Sequence, residues 1–365
     1  MRTLIQAEIG RSGGWLPFER YMDLALYAPG LGYYVGGAAK IGAAGDFITA
    51  PEMTPLYGRT LARTAEAVLR QTGGDILELG AGSGRLALDL LRELELRNAL
   101  PRQYWILEVS PDLQARQRAL IESEAPQLAP RVVWLDRLPT RFVGLMLANE
   151  VLDAMPVHLV HWRAGQVFER GVIAQDNEFA WQDRLLQQGA LLRAAEAIDP
   201  ATDYLSEINL AASSWIASLA QCLEQGVLLC IDYGFPRSEY FHAQRDQGTL
   251  RVHYRHHSLD DPFYLPGLCD LTAHVDFSAV AEAAGDAGLE LLGYTSQANF
   301  LLNAGLLDLM AGMRPGSSDY LRAAVAVQKL VQPSEMGELF KAIAFGRGIS
   351  GILPGFERGD RRGAL

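Results

Sequence analysis

Two rhythms of apolar and polar positions alternate along most of this chain. Short, continuous apolar runs predict strands at Asp75–Leu79, Tyr104–Val109, Val132–Leu135, Gly144–Ala148, Gly226–Asp232 and Leu289–Thr295. Between them, apolar residues recur three and four positions apart. That spacing predicts helices over Arg85–Arg97, Pro111–Glu122, Ile208–Gln225 and Ser278–Ala287. Ser110 stands where a cap belongs, with Pro111 at the first helical position. Strands that are apolar throughout, alternating with amphipathic helices, imply a mostly parallel sheet covered on both faces, an α/β fold. A final antiparallel strand is expected at Leu339–Phe345.

Interruptions of this alternation suggest six segments. Residues 1–70 form an N-terminal helical and lid segment, with helices at Phe18–Leu26 and Leu56–Arg70. Residues 71–152 and 208–300 are the two halves of the core. An inserted hairpin region (153–207) has alternating strands at Val157–Trp162 and Gln166–Ala174. Residues 301–333 read as a helical insertion, and 334–365 as the last strand with a frayed tail from Gly355. The piece Tyr27–Pro55 is rich in Gly, Pro and aromatics: too apolar for a linker, too broken for regular structure. A loop of this length is expected to be functional, and we expect it to fold over a bound ligand as a lid.

Composition narrows the setting. The 365 residues are 49 % hydrophobic and 21 % charged, enough for a sizeable core. A net charge of −11 argues against a nucleic-acid partner and fits a basic one. Three cysteines without a Cys-x-x-Cys spacing read as buried reduced thiols in a cytoplasmic protein. No apolar run is long enough for a membrane span. His253, His256 and His257 lie near Asp260 and Asp261 but lack ligand spacing, so no metal is expected. Nothing in the sequence signals an oligomeric state.

The densest chemistry is in Ile76-Leu77-Glu78-Leu79-Gly80-Ala81-Gly82-Ser83-Gly84. A strand ends in an acid-bearing run, three glycines spaced by two follow, and a helix starts at once. Glycine there lets the backbone approach a ligand closely. The dinucleotide fingerprint puts its third glycine five residues after the first. Here it comes four after, with Arg85 in that place, and no Gly-Lys-Ser/Thr ending provides a phosphate cradle. The turn resembles motif I of the class I S-adenosylmethionine methyltransferases. Ligands of open α/β sheets bind beyond the carboxyl ends of the strands. Glu108, with Val109 and Ser110, ends the second strand, where a carboxylate can accept two bonds from a ribose diol. Asp136 ends the third and could receive the adenine amino group; Glu78 could anchor the loop or meet the methionine amine. Asn149, Glu150 and Asp153 follow the fourth strand, facing the methyl and the acceptor.

Taken in order, these blocks resemble the MidA family, bacterial and mitochondrial relatives of the complex I assembly-factor arginine methyltransferase. The resemblance runs over about residues 15–305. Its blocks include Tyr21-Met22, Ala25-Leu26-Tyr27-Ala28-Pro29, Gly32-Tyr33-Tyr34 and Gly45-Asp46-Phe47-Ile48-Thr49-Ala50-Pro51-Glu52. Further on come Ala148-Asn149-Glu150, Ile231-Asp232-Tyr233-Gly234, Gly248-Thr249-Leu250 and Asp270-Leu271-Thr272-Ala273-His274-Val275-Asp276-Phe277. Asn149 stands where mitochondrial members carry His.

The resemblance implies a Rossmann-like methyltransferase with a seven-stranded, mostly parallel sheet. Its cofactor would be S-adenosylmethionine and its acceptor an arginine, on a respiratory complex I subunit in the mitochondrial members. Arginine also has a physical case. Guanidinium is permanently protonated and a poor nucleophile, so it must be held by carboxylates. Glu150, Asp153, Asp232, Asp270 and Asp276 are candidates, with His274 as a proton relay through Asp276. Asp46 and Phe47 of the lid are expected to contact the cofactor or the acceptor. A small-molecule methyltransferase and an assembly chaperone with a structural cofactor site are the alternatives.

Overall fold

The computed structural model describes residues 1–36, 49–198, 200, 203–255 and 257–365. Seven strands make the backbone of the central sheet: β1 (Asp75–Leu79), β2 (Tyr104–Leu107), β3 (Val132–Leu135), β4 (Phe142–Asn149), β5 (Leu223–Phe235), β6 (Glu290–Ser296) and β7 (Phe340–Arg347). Their order is β6-β7-β5-β4-β1-β2-β3, with the two-residue strand Val275–Asp276 also paired to β5. Neighbours from β3 to β5 run parallel. β7 is antiparallel to both β5 and β6.

Strand alternation explains the two cores. In β4, Leu145 and Leu147 face one layer while Met146 and Ala148 face the other; β5 divides the same way, with Val227, Leu229 and Ile231 against Leu228 and Cys230. The first layer holds helices α3 (Pro55–Thr72) and α4 (Arg85–Leu96). The second holds α6 (Leu210–Cys222) and α7 (Phe277–Asp286). Helix starts follow their caps: the Thr54 hydroxyl accepts from Leu56 N–H before Pro55, and Ser110 accepts from Leu113 N–H at the start of α5 (Pro111–Glu124).

A second sheet joins segments distant in sequence. Strands Leu16–Pro17, Gln166–Gln175, His158–Arg163 and Tyr204–Ile208 lie side by side, and Glu178–Leu185 pairs with Gln166–Gln175. Helices α1 (Arg2–Arg11) and α2 (Phe18–Tyr27) pack against this sheet through Ile5, Ile9, Phe18 and Tyr21. A third, three-stranded sheet includes Arg251–Tyr254 and Asp270–Thr272.

Three expectations differ from the structure. Ile208 ends a strand rather than opening a helix, because Asn209 caps α6 through Ala212 N–H. β5 begins at Leu223, three residues earlier than the apolar run suggests. The tail is not frayed: Phe356 is buried against Phe300, and Arg361 N–H donates to Tyr294 O at 2.8 Å.

Candidate active site

One cavity of about 460 Å³ opens at the carboxyl ends of β1, β2, β4 and β5, in the size range of small-ligand sites. Its first end is built by consecutive chain. Gly80, Gly82 and Gly84 all have left-handed φ, at +69°, +52° and +84°. A side chain at Gly80 would press on Val151 at 3.2 Å, and one at Gly84 would meet Gln117 at 3.1 Å. Both positions leave little room for a side chain, so the turn stays close-packed against Val151 and α5. Gln117 locks it further, donating to Gly82 O at 2.9 Å and Glu108 Oε2 at 3.2 Å while accepting from Trp134 at 2.8 Å.

Glu108 lines the cavity beside Val109 and is itself buried. Burial pushes its carboxyl up; the Ser110 N–H and the Gln117 amide draw it back down. Glu78 lines the same end, and its carboxylate accepts from Tyr104 OH at 2.8 Å. Burial pushes Glu78 up to about 7 against the Tyr104 bond, with Glu108 adding repulsion.

The opposite end is assembled from distant segments. Glu150 sits just after β4 in left-handed backbone, φ +54°, a strained conformation for a residue with a Cβ. Its N–H donates to Ile231 O at 2.9 Å, and its Oε1 accepts from Ala50 N–H and Asn149 Nδ2, each at 3.3 Å. Burial, with Asp153 nearby, pushes its carboxyl up to about 7. Asp153 is buried, accepts from Tyr233 OH at 2.5 Å, and keeps its Oδ1 without a hydrogen-bond partner among the described residues. Burial raises it too. Tyr34 OH donates to Asp270 at 3.0 Å and stacks on Tyr27, whose own OH donates to Ala154 O at 3.0 Å. No Lys, Arg or His stands among the described lining residues.

Residues 56–295 match the family "Putative S-adenosyl-L-methionine-dependent methyltransferase". A COG1565 superfamily member from Burkholderia thailandensis, solved with S-adenosyl-homocysteine bound, is 49 % identical, with a TM-score of 0.97 over 100 % of this chain and 96 % of that one. The chain belongs to the MidA family of methyltransferases. Among relatives, the mitochondrial protein arginine methyltransferase NDUFAF7 of Xenopus tropicalis is 30 % identical, covering 91 % of this chain and 82 % of its own. The Danio rerio protein of that name is 28 % identical over 90 % and 82 %.

This MidA-family chain is an S-adenosylmethionine-dependent methyltransferase of class I fold. Its residues fit the cofactor: a glycine turn with no Cβ in the way, a buried strand-end carboxylate for a diol, and an anionic surround for a sulfonium.

The cavity brings together most of the residues named from sequence: Glu78, Gly80, Ala81, Gly82, Glu108, Val109, Asn149, Glu150 and Asp153. Gly84 and Ser110 stand behind it, as the starting positions of α4 and α5. Asp136 is exposed and outside the described lining. Asp46 and Phe47 lie outside the described residues, as do residues 37–48 of the expected lid; on either side of them Tyr27, Tyr33, Tyr34, Thr49 and Pro51 line the cavity.

Two acids are turned elsewhere. Asp232 Oδ2 accepts three successive N–H groups, from Val151, Leu152 and Asp153, at 2.9–3.3 Å. It shapes the loop that carries Glu150 and Asp153. Asp276 caps α7 and faces Arg237 instead of relaying to His274. His274 packs edge-on to Tyr233 and Phe235, and burial lowers it to about 4, so its ring is neutral. Sequence reasoning missed Tyr233 and Trp215 as lining residues. The aromatic density that marked the expected lid does carry Tyr27 into the lining; Trp215 on α6 offered no signal.

Proposed function

We propose that this enzyme transfers the methyl group to an arginine side chain of a protein. The carboxylates of Glu150, Asp153 and Asp270, set among Tyr27, Tyr34 and Tyr233 with no basic group in the described lining, carry the assignment. The names of the mitochondrial relatives support it. When bound, S-adenosylmethionine supplies a methyl group on a cationic sulfonium that is also the leaving group. The chain's part is to align the acceptor, exclude water and supply charge.

Carboxylates fit a guanidinium geometrically and electrostatically. As the new N–C bond forms, one guanidinium proton must leave. Glu150, held near 7, is matched to take it at neutral pH. Asp153 Oδ1 offers a second acceptor, and the Tyr233 hydroxyl fixes its orientation. Following the family resemblance, the acceptor protein is a respiratory complex I subunit.

The test is incubation with methyl-labelled S-adenosylmethionine and a lysate of cells lacking the enzyme. Label is expected in protein, released on hydrolysis as methylarginine. Label confined to small molecules would overturn the assignment.

A further inference from the structure

The residues 49–57 touch the cavity wall at both ends within one short stretch. Glu52 Oε1 accepts from the Ser83 hydroxyl, inside the glycine turn. Two residues earlier, Ala50 N–H donates to Glu150 Oε1 at 3.3 Å. Five residues later, at the start of α3, Tyr57 OH donates to Asn149 Oδ1 at 2.5 Å. Thr49 and Pro51 line the space between. The stretch is stiff: Ala50–Met53 is a short helix, Pro51 and Pro55 fix two φ angles, and Thr54 caps the next helix. Ala50, Pro51, Leu56 and Tyr57 are buried, so a shift at one contact cannot be absorbed by solvent.

Ser83 itself is well placed to sense the turn. Its oxygen accepts from Arg85 N–H at 3.2 Å while its hydroxyl donates to Glu52, so its rotamer is tied to both sides. Among the described residues, two groups hold the Glu150 carboxylate, Ala50 N–H and the Asn149 amide, both reached by this same stretch. The glycine turn and the Glu150 carboxylate are therefore joined through one run of hydrogen bonds.

We propose that residues 49–57 form a strap that ties the cofactor turn to the acceptor carboxylate, with Glu52 as its positioning residue. Glu52 does not touch the reacting atoms; it sets Ala50 and so the Glu150 side chain. The proposal rests on Glu150 acting at the acceptor end.

Hydrogen–deuterium exchange with S-adenosylhomocysteine tests it without an acceptor. In the wild type, the ligand should increase protection of residues 49–57. In Glu52→Ala and in Ser83→Ala the ligand should still bind, but that gain should vanish. Glu52→Gln keeps an accepting oxygen and should restore it. Labelled-methyl transfer into lysate protein should fall about tenfold in Glu52→Ala. The Glu52→Ala/Ser83→Ala double variant should fall no further, since the two act through one bond. A gain in protection that persists in Glu52→Ala, or losses that add in the double variant, would overturn the strap. Should Glu150→Gln leave transfer intact, the role of Glu150 fails instead, and the exchange result stands apart from it.

Discussion

The two ends of the cavity are made in opposite ways. The cofactor end is nearly all local: a strand, five turn residues and a helix, with Glu108 24 residues beyond Gly84. The opposite end, where we place the acceptor, draws on Tyr27 and Tyr34, Ala50, Glu150 and Asp153, Tyr233 and Asp270, which only the fold brings together. The local end holds a ligand shared by the whole class. The assembled end can change one segment at a time without disturbing the turn. Cofactor use is therefore the robust property of this architecture, and acceptor choice the adjustable one.

That contrast can be broken experimentally. The largest effect is expected at the assembled end. Glu150→Gln should cut labelled-methyl transfer by about 10²–10⁴-fold, the usual worth of a positioned base, while the Kd for S-adenosylhomocysteine by calorimetry stays nearly unchanged. Loss of cofactor affinity in this variant would merge the two ends. Glu108→Ala should do the reverse, weakening S-adenosylhomocysteine by about 10–100-fold, as expected for lost charge-assisted bonds. Undiminished affinity would remove Glu108 from the cofactor end.

Smaller effects sharpen the comparison through pH. Glu150 is raised in the folded state to about 7, above its ordinary value. Its ionisation therefore costs stability in full above pH 7, and the cost disappears as pH falls toward 4. Glu150→Gln should melt a few degrees higher than wild type at pH 8 and no higher at pH 4.5, by calorimetry. An equal gain at both pH values would mean that charge is not the cause. Smallest of all, Asp136→Ala should change cofactor affinity by no more than about twofold, as for an exposed side chain.

What could be read from the sequence follows the same division. Central strands and the glycine turn were legible, because periodicity and spacing are local. β7 was placed, with its direction, although it enters the sheet between β5 and β6. The second sheet was half legible: its hairpin alternates clearly, but the pairing of Leu16–Pro17 with Gly171 and Val172 spans over 150 residues. Asp232 and Tyr233 show the limit best. Neighbours on a strand point to opposite faces, so one had to meet the loop and the other the cavity. No pattern in the sequence says which. Asp232 turns to the three N–H groups, and Tyr233 supplies the hydroxyl for Asp153. His274 was misplaced as a relay for a related reason: Asp276, two residues on, was claimed by the N-terminus of α7.

The position of β7 also bears on how the chain comes off the ribosome. β5 and β6 meet only through β7, whose residues 340–347 follow β6 by more than forty positions. Until that stretch has been made, the apolar edge of β5 around Val227–Ile231 has no partner on that side. The cofactor half can close early, while the other half waits with an open strand edge that invites mispairing. A C-terminal truncation that removes β7 should therefore give an aggregating chain rather than a smaller enzyme, even though it deletes no described residue of the cavity lining.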